Sequence, residues 1–593
     1  MDGIAVVSME IIGYALTSVY IILFIGLLSA VGVYRKDLYK ALKGKVTKRS
    51  LIALLFILIF FVSFLVMFVH PAEQLYFDEN IYQGIALNIL KHGNALWCQY
   101  GSAYLNQCGA SAVYHDPVEW SFYIAMAFGV FGIGTATAYG MQLLIGALLV
   151  AFTFLLGSVM KGEKAGILSA LAMSVMPEVI IWSRAQAVPD LALASFATLT
   201  FFFFIVFMEN KKSSTLLPFL FSLGIAVYIR TEGALLIPIF IILYFIYGDS
   251  SIRKNFSGSV RWLKELINKD ERSLLYILLF AILLVPQAYY ISGQISNPQF
   301  GQGNSGLFSL SSFETNGPIN INYLFGTFDT KGNYPAAFPV AITLLATIGV
   351  AVAVATSINE RKNMAIVIAL GLWFLAYFFF YSFFYAGAAT YGVDSRMMLQ
   401  LHPQLVILSA IGIVELSGLL GMVGMKRKRM NSNRSSRRRI SLIRHNVLIA
   451  VPYAAFLIVI AFVFVQFFPI VTMPPSSAPQ QSVILPASNF INSNYSAVPS
   501  NCLVFSFTPD MWYENGRASA QIGYLQSDSS NFTNFTKSYR CFVLDYGYWC
   551  LVPPYDNTTC PAYLKSYNTS VLATRSINGV ANNMSFYLLR NYS

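Results

Sequence analysis

Long apolar runs recur along most of this chain and decide what it can fold into. The hydrocarbon core of a membrane is about 30 Å thick, and a helix needs about 20 mostly apolar residues to cross it. Such runs recur from residue 11 to residue 468. Only 11% of the 593 residues are charged, against about 25% in soluble domains. The first 468 residues are therefore predicted to form a helical membrane domain.

The composition changes after Phe468. Ser, Asn, Thr, Pro and Tyr replace the long apolar runs, so residues 469–593 are predicted to form a separate, water-exposed domain. Short alternating stretches, such as Cys502–Phe507 and Cys541–Tyr546, predict that this domain is small and β-rich or α/β. The first apolar run, Ile11–Tyr34, is long enough to stay in the membrane, so it is not expected to be a cleaved signal peptide.

Basic residues are concentrated in short loops. For the membrane topology, this placement is more informative than the net charge of +12. Seven Lys or Arg lie between Arg35 and Arg49, six between Arg253 and Arg272, and nine between Lys426 and Arg444. Cytoplasmic loops of membrane proteins collect these residues, so the three clusters are predicted to face the cytoplasm. Binding of anionic lipid is the alternative for such clusters, and nucleic acid is not an expected partner.

Twelve crossings place every basic loop on one side of the membrane and the C-terminal domain on the other, extracytoplasmic side. The apolar stretch Val118–Ile133 cannot be a lone crossing, because one more pass would invert everything after it. We therefore predict that this stretch lies on the membrane or re-enters it. The predicted crossings are near residues 11–33, 50–69, 138–160, 165–183, 190–208, 214–230, 233–248, 273–292, 336–356, 364–385, 397–421 and 447–468.

All six cysteines fall in segments that this topology places outside, which predicts disulfides. We expect Cys98 to pair with Cys108, Cys550 with Cys560 and Cys502 with Cys541, although the sequence does not fix the connectivity. The C-terminal domain also contains seven N-x-S/T sequons, which predict a glycosylated surface. They begin at Asn494, Asn531, Asn534, Asn557, Asn568, Asn583 and Asn591.

Two adjacent carboxylates, Asp78 and Glu79, follow the second predicted crossing within about ten residues and so lie near the lipid headgroups. Apolar residues recur at helical spacing from Ile81, and Gly93 is a plausible helix stop. Asp78 is therefore also a good N-cap, and Glu79 would be favourable in the first turn. A structural role thus competes with a catalytic one at this position.

These residues belong to a series that resembles the GT-C glycosyltransferases, in the branch of the protein O-mannosyltransferases and the lipid A aminoarabinose transferase. Most of the matches are single positions spread over about 330 residues, in the family's order. The first outer loop of the family is matched by Asp78-Glu79, His115-Asp116-Pro117 and Phe131-Gly132, and later parts by Pro177, Ser183-Arg184, Asp190, Tyr228–Gly233 and Arg396–Pro403.

The resemblance implies direct displacement with inversion at the sugar carbon. Asp78 would take the proton of the acceptor hydroxyl, and Glu79 would orient the acceptor. Guanidinium groups would hold the phosphate of a polyprenyl-phosphate donor as its charge develops. The implied substrate-binding residues are Tyr82, His115, Arg184, Asp190, Arg230, Glu232 and Arg396. The alternatives are snorkelling for each arginine and an ordinary hydrogen bond for His115. No cofactor is expected to be required; a divalent metal ion is possible but not predicted.

Residues 293–335 form a long Gly- and Asn-rich outer segment, which the resemblance predicts to close over the substrates. The acceptor is expected to be a protein, glycan or lipid. The nearest rival function is an oligosaccharyltransferase or a lipid-to-lipid sugar transferase; a transporter or a membrane scaffold without catalysis is a rival of another class. Transporters keep ionisable residues at mid-membrane and often show repeats, whereas here polar residues collect at one face. The expected setting is an archaeal plasma membrane, with the endoplasmic reticulum as the alternative.

Overall fold

The structure is a computed structural model of the chain. The residues it describes are 2–71, 78–96, 118–184, 187–210, 212–247, 271–296, 307–326, 338–357, 361–389, 395–430, 435–472, 481–525, 535–547, 550, 559–576 and 583–590.

The described residues up to 472 are mainly helical, as predicted. Two 3-10 helices, Thr231–Leu235 and Arg396–Leu401, join longer helices, and the second is called the Arg396 turn below. The α-helices are α1 Asp2–Val33, α2 Arg35–Leu42, α3 Lys48–Phe68, α4 Asp78–His92, α5 Glu119–Phe131, α6 Thr135–Lys161, α7 Glu163–Ser174, α8 Pro177–Trp182, α9 Pro189–Asn210, α10 Ser213–Ile229, α11 Leu236–Tyr247, α12 Glu271–Ser296, α13 Leu310–Leu324, α14 Val340–Ser357, α15 Arg361–Phe383, α16 His402–Met430 and α17 Ser435–Val471.

Eight helices within the described residues are long and apolar enough to cross a membrane, which confirms a polytopic helical membrane protein. Three of the other predicted crossings are shorter apolar helices, at Ser213–Ile229, Thr231–Ile246 and Val340–Thr356. The number of crossings, twelve, therefore stays a prediction.

The crossing predicted at 165–183 is two helices and not one continuous helix. α7 ends at Ser174 and α8 begins at Pro177, with Met176 extended between them at φ −66° and ψ 122°. Proline lacks the N–H that would continue the helix, and it disfavours helical backbone in the residue before it. The break starts a new short helix, α8, that leads directly towards Arg184.

α5 covers most of the stretch predicted to lie on the membrane or to re-enter it. Its 13 residues span about 20 Å at about 1.5 Å per residue, less than the thickness of a bilayer core. α5 ends before Gly132, whose φ of 94° a residue with a side chain rarely adopts. It packs against α4, α6 and α1, and most of its side chains are buried in protein.

Basic loops meet at one end of the membrane domain. Lys45 forms an ion pair with Glu209, and Lys212 lies 3.4 Å from Asp37. Glu209 is near the end of α9, whereas Asp190 is in its first turn. The 22 residues of α9 separate the two acids by about 30 Å at about 1.5 Å per residue. Asp190 therefore lies at the end opposite to these basic loops.

The C-terminal domain contains a five-stranded sheet in the order β2-β1-β3-β5-β4. β1 pairs in parallel with β2 and β3, and β5 pairs antiparallel with β3 and β4. Every residue of β1 and β3 is buried, because these central strands are covered on both faces. The strands are Leu503–Ser506, Ser519–Gln521, Phe542–Tyr546, Asn568–Arg575 and Met584–Arg590; the helices are α18 Gln481–Asn494, α19 Pro509–Glu514 and α20 Thr559–Ser566.

Two of the three expected disulfides are present. Cys502 is bonded to Cys541, and Cys550 to Cys560. The first bond joins the residues that precede β1 and β3, so it links two neighbouring central strands at their N-terminal ends. The third expected pair, Cys98 with Cys108, lies outside the described residues.

The C-terminal domain rests on α4 through the short helix α19. Trp512 points into the sheet, where its indole N–H donates to Asp545 at 2.9 Å. The neighbouring Tyr513 is buried among apolar side chains of the membrane domain, and the Lys91 ammonium lies 5.0 Å from the centre of its ring. α19 therefore connects the sheet to the helix that begins with Asp78.

Asp545 is expected to make the stability of the C-terminal domain depend on pH. Burial raises the pKa of this carboxyl from 3.8 to about 6, so between those values the unfolded chain loses a proton that the folded domain keeps. Stability is then fully present below about pH 4 and falls by about 3 kcal/mol as the pH rises to about 6. Hydrogen exchange of β3 in the intact protein, corrected for intrinsic rates, measures this change. Asp545→Asn should remove it, and stability that rises from pH 4 to 6 would contradict it.

Candidate active site

Asp78 opens α4 and faces an arginine from a distant part of the chain. Its Oδ2 accepts a hydrogen bond of 2.7 Å from Nη2 of Arg396, the first residue of the Arg396 turn. Both side chains are only partly exposed, as expected for groups at the mouth of a site. The carboxylate therefore has a cationic partner beside it, and its position near the membrane boundary stays a prediction.

The ion pair of Asp78 is the first link of a chain of alternating charges. Arg396 Nε lies 3.7 Å from Oδ2 of Asp190, a distance for an ion pair but too long for a hydrogen bond. The other oxygen of Asp190 accepts a hydrogen bond of 2.8 Å from Arg230, which also binds Glu232. Three carboxylates and two guanidinium groups thus converge from four separate elements.

A tight turn after α10 brings Glu232 back to Arg230. Arg230 has extended backbone at φ −148° and ψ 150°, and the 3-10 helix Thr231–Leu235 follows it. A Cβ on Gly233 would lie 2.0 Å from the carbonyl oxygen of Ala226, so only glycine fits this close approach. Tyr381 donates a hydrogen bond of 3.1 Å to the carboxylate of Glu232 and fixes it from α15.

Glu79 lies behind the site and binds backbone. Its Oε1 accepts a hydrogen bond of 2.9 Å from the N–H of Ala187, in the connection between α8 and α9. The carbonyl of Ala187 accepts another, at 3.0 Å, from the indole of Trp120. Glu79 is buried, so this contact anchors the connection that carries Arg184 to α4. Its predicted role in orienting the acceptor stays a prediction.

The structure brings most of the predicted site residues together. Asp78, Asp190, Arg230, Glu232 and Arg396 form the charge chain, and Tyr82 lies close enough to Arg230 to interact electrostatically. Arg184 follows α8, and its half-exposed guanidinium has no ion pair within the described residues. His115 lies outside the described residues.

Several residues that support the site were not predicted. Gln400 donates to the carbonyl of Asp190 at 2.8 Å and joins the Arg396 turn to α9. The hydroxyl of Tyr377 donates to the carbonyl of Glu232 at 3.2 Å. Nothing in the sequence separates Tyr377 from the many aromatic residues around it. Glu178 did carry a signal, because it is an acid in the middle of an apolar stretch.

Comparison with solved structures identifies this architecture. ArnT from Cupriavidus metallidurans bound to undecaprenyl phosphate is similar with a TM-score of 0.52 and 12% identity, covering 91% of this chain and 98% of that chain. The chain has the GT-C fold. The apo form of the same ArnT gives a TM-score of 0.52 at 13% identity, covering 91% of this chain and 97% of that chain. The fold predicted from the sequence resemblance is therefore confirmed.

A family model adds to the GT-C assignment. The model described as dolichyl-phosphate-mannose-protein mannosyltransferase matches residues 115–267. This part of the GT-C fold includes Arg184, Asp190, Arg230 and Glu232. The Archaeoglobus fulgidus oligosaccharyltransferase is also similar, but its TM-score of 0.46 at 11% identity, covering 91% of this chain and 75% of that chain, is too low to support an argument. No curated protein matches the chain in sequence.

Metal binding in this GT-C fold was possible but not predicted from the sequence. The described residues contain no group of three or more His, Cys, Asp or Glu placed to hold a metal ion. Asp78, Asp190 and Glu232 each interact with an arginine. That transfer requires no metal stays a prediction, and no step below is assigned to a metal.

Proposed function

We propose that the chain is an inverting glycosyltransferase that moves a sugar from a polyprenyl-phosphate donor to a hydroxyl acceptor. The observation that carries this proposal is the charge chain from Asp78 through Arg396, Asp190 and Arg230 to Glu232. It combines a carboxylate that can accept a proton with guanidinium groups that can hold a phosphate, at one end of a bundle of apolar helices.

In this mechanism the arginines bind the leaving group. The bond between the sugar and the phosphate breaks as the acceptor oxygen attacks, and the negative charge on the phosphate grows. Arg396 is the proposed partner of that phosphate, because it opens a long apolar segment, Arg396–Met422, along which a lipid chain can lie. The guanidinium of Arg184 offers a second site for the same anion. Bidentate hydrogen bonds suit this geometry.

Asp78 acts on the other reactant. It is proposed to accept the proton of the acceptor hydroxyl while the new glycosidic bond forms on the face opposite to the phosphate. Arg396 donates a hydrogen bond to this carboxylate and so helps to position the base. The acceptor is a protein, glycan or lipid; Tyr82 is proposed to line its side of the site, and Glu79 to support that side from behind through Ala187. Transfer of a lipid-linked glycan, as by an oligosaccharyltransferase, is the alternative.

The site is proposed to face the extracytoplasmic side of the membrane. A cysteine at Ser435, within the last basic cluster, should then be inaccessible to a membrane-impermeant maleimide in intact cells. A cysteine at the exposed Ser500 of the C-terminal domain is the positive control. The four native cysteines among the described residues are in disulfides. Labelling at Ser435→Cys from outside would show that the topology is inverted.

Turnover tests the function itself. Purified protein in lipid nanodiscs is incubated with a panel of polyprenyl-phosphate sugars and of protein, glycan and lipid hydroxyl acceptors, and the released polyprenyl phosphate is measured by mass spectrometry. We expect release with at least one donor, and the same rate in the presence of a chelator. A rate that is lost on chelation and restored by a divalent ion would show that the reaction needs a metal.

A further inference from the structure

A buried carboxylate that the proposed mechanism does not use lies behind the Arg396 turn. Glu178 is the second residue of α8 and is 1% exposed. Its Oε2 accepts a hydrogen bond of 3.0 Å from the indole N–H of Trp182 and another from the hydroxyl of Ser395. Ser395 is the N-cap position of the Arg396 turn. Glu178 therefore binds the residue next to the arginine that meets Asp78.

The other end of the turn is reached through a tyrosine. The hydroxyl of Tyr323 lies within hydrogen-bonding reach of Glu178 and 3.3 Å from Nε2 of His402. His402 is the C-cap position of the turn. Because Ser395 and His402 flank the turn, Glu178 and Tyr323 together contact both of its ends.

Tyr323 also connects this cluster to the long outer segment. It lies near the end of α13, which is joined to the chain after α15 by two asparagines. Asn316 donates to the carbonyl of Phe384 at 2.7 Å, and Asn320 accepts from the N–H of Ala389 at 2.8 Å. α13 is thereby fixed to the membrane domain, and Tyr323 extends from it to Glu178.

The Arg396 turn depends on such outside support. It is a 3-10 helix of six residues, and runs longer than about four residues are uncommon because their hydrogen bonds have poor geometry. A buried carboxylate, in turn, is tolerated only where donors surround it. Removing the charge of Glu178 would weaken its bonds to Trp182, Ser395 and Tyr323 at once.

We propose that Glu178 is a positioning residue for Arg396, and that Tyr323 couples this positioning of the Arg396 turn to α13. Glu178 acts through Ser395 and the turn, and it touches neither donor nor acceptor. Only the expected effect of Glu178 on sugar transfer rests on the proposed function. The stabilisation of the Arg396 turn by Glu178 is a property of the protein without substrate.

Hydrogen exchange of the intact protein in nanodiscs tests directly whether Glu178 stabilises the Arg396 turn. Glu178→Gln and Ser395→Ala are expected to speed exchange of the amides from Met397 to Leu401 by about tenfold, as for the loss of roughly one hydrogen bond. Glu119→Gln is the matched control, because Glu119 is equally buried and its carboxylate binds Tyr123 on α5. Unchanged exchange of the turn in Glu178→Gln, or the same increase in Glu119→Gln, would overturn the proposal.

Transfer kinetics separate this inference from the proposed function. Glu178→Gln should lower kcat by about ten- to a hundredfold, the effect of displacing a reacting group by about 1 Å. In an Arg396→Ala background the same change should have little further effect, because both act through one guanidinium. Fully additive losses would overturn the positioning role. If the wild-type protein transfers no sugar, the proposed function fails, and the exchange experiment still decides the role of Glu178.

Discussion

Asp78→Asn is expected to abolish sugar transfer in a protein that stays folded and binds donor. The amide has nearly the same shape and can still accept a hydrogen bond from Arg396, but it cannot take a proton at neutral pH. Loss of a general base lowers the rate by roughly a hundred- to ten-thousandfold, whereas loss of a carboxylate from the first turn of a helix costs only about 1 kcal/mol of stability or less. Initial rates of polyprenyl phosphate release, measured with the melting temperature, distinguish the two roles.

Asp37→Asn is the matched control for this variant. The side chains of Asp37 and Asp78 are both 25% exposed, and each forms an ion pair. Asp37 lies among the basic loops at the opposite end of the helices, so its loss should leave the rate unchanged. If Asp78→Asn retained more than about a tenth of the wild-type rate, the base would lie elsewhere, and Glu79 and Asp190 would be tested next.

Arg230→Ala is expected to cause a large loss of stability. Arg230 binds Asp190 and Glu232, which are 0% and 5% exposed. Removing the guanidinium leaves two buried carboxylates near each other without their shared partner, and breaking a buried pair in this way costs about 3–5 kcal/mol. Thermal unfolding of the purified protein in detergent should show a clear decrease in melting temperature.

Two further variants make this prediction specific. Lys161→Ala removes one partner of the ion pair with Glu415, whose side chains are 21% and 13% exposed, and it should cost less than Arg230→Ala, because it leaves a single carboxylate that is less buried. Neutralising both acids in the triple variant Arg230→Met, Asp190→Asn, Glu232→Gln should restore most of the stability but not the transfer activity. Equal melting temperatures for Arg230→Ala and the wild-type protein would contradict the account.

Hydropathy predicted the membrane domain well, because every apolar run must be buried in lipid or protein. It did not predict the break before Pro177, where an apolar composition conceals a change of helix. The strands at Leu503 and Phe542 were also located by pattern, but not the parallel pairing that covers both of their faces, since this depends on distant parts of the sheet.

The site could be predicted only in part. Asp78, Asp190 and Arg230 lie at helix ends that the predicted topology places at one face of the membrane. The number of crossings between them was therefore enough to predict that they share this face. Their pairing could not be predicted, because it depends on the conformation of turns such as Thr231–Leu235. Glu178 was missed because its partners, Ser395 and Tyr323, are distant in sequence and carry no charge to indicate the contact.

The most direct test of the central claim is product analysis with a polyprenyl-phosphate sugar labelled in the sugar. Purified protein, donor and a hydroxyl acceptor are combined, and the lipid product, the sugar product and its anomeric configuration are determined. The account predicts one free polyprenyl phosphate per sugar transferred, inversion at the anomeric carbon, and no product with Asp78→Asn. Retention of configuration, or no consumption of any polyprenyl-phosphate sugar by the folded wild-type protein, would contradict it.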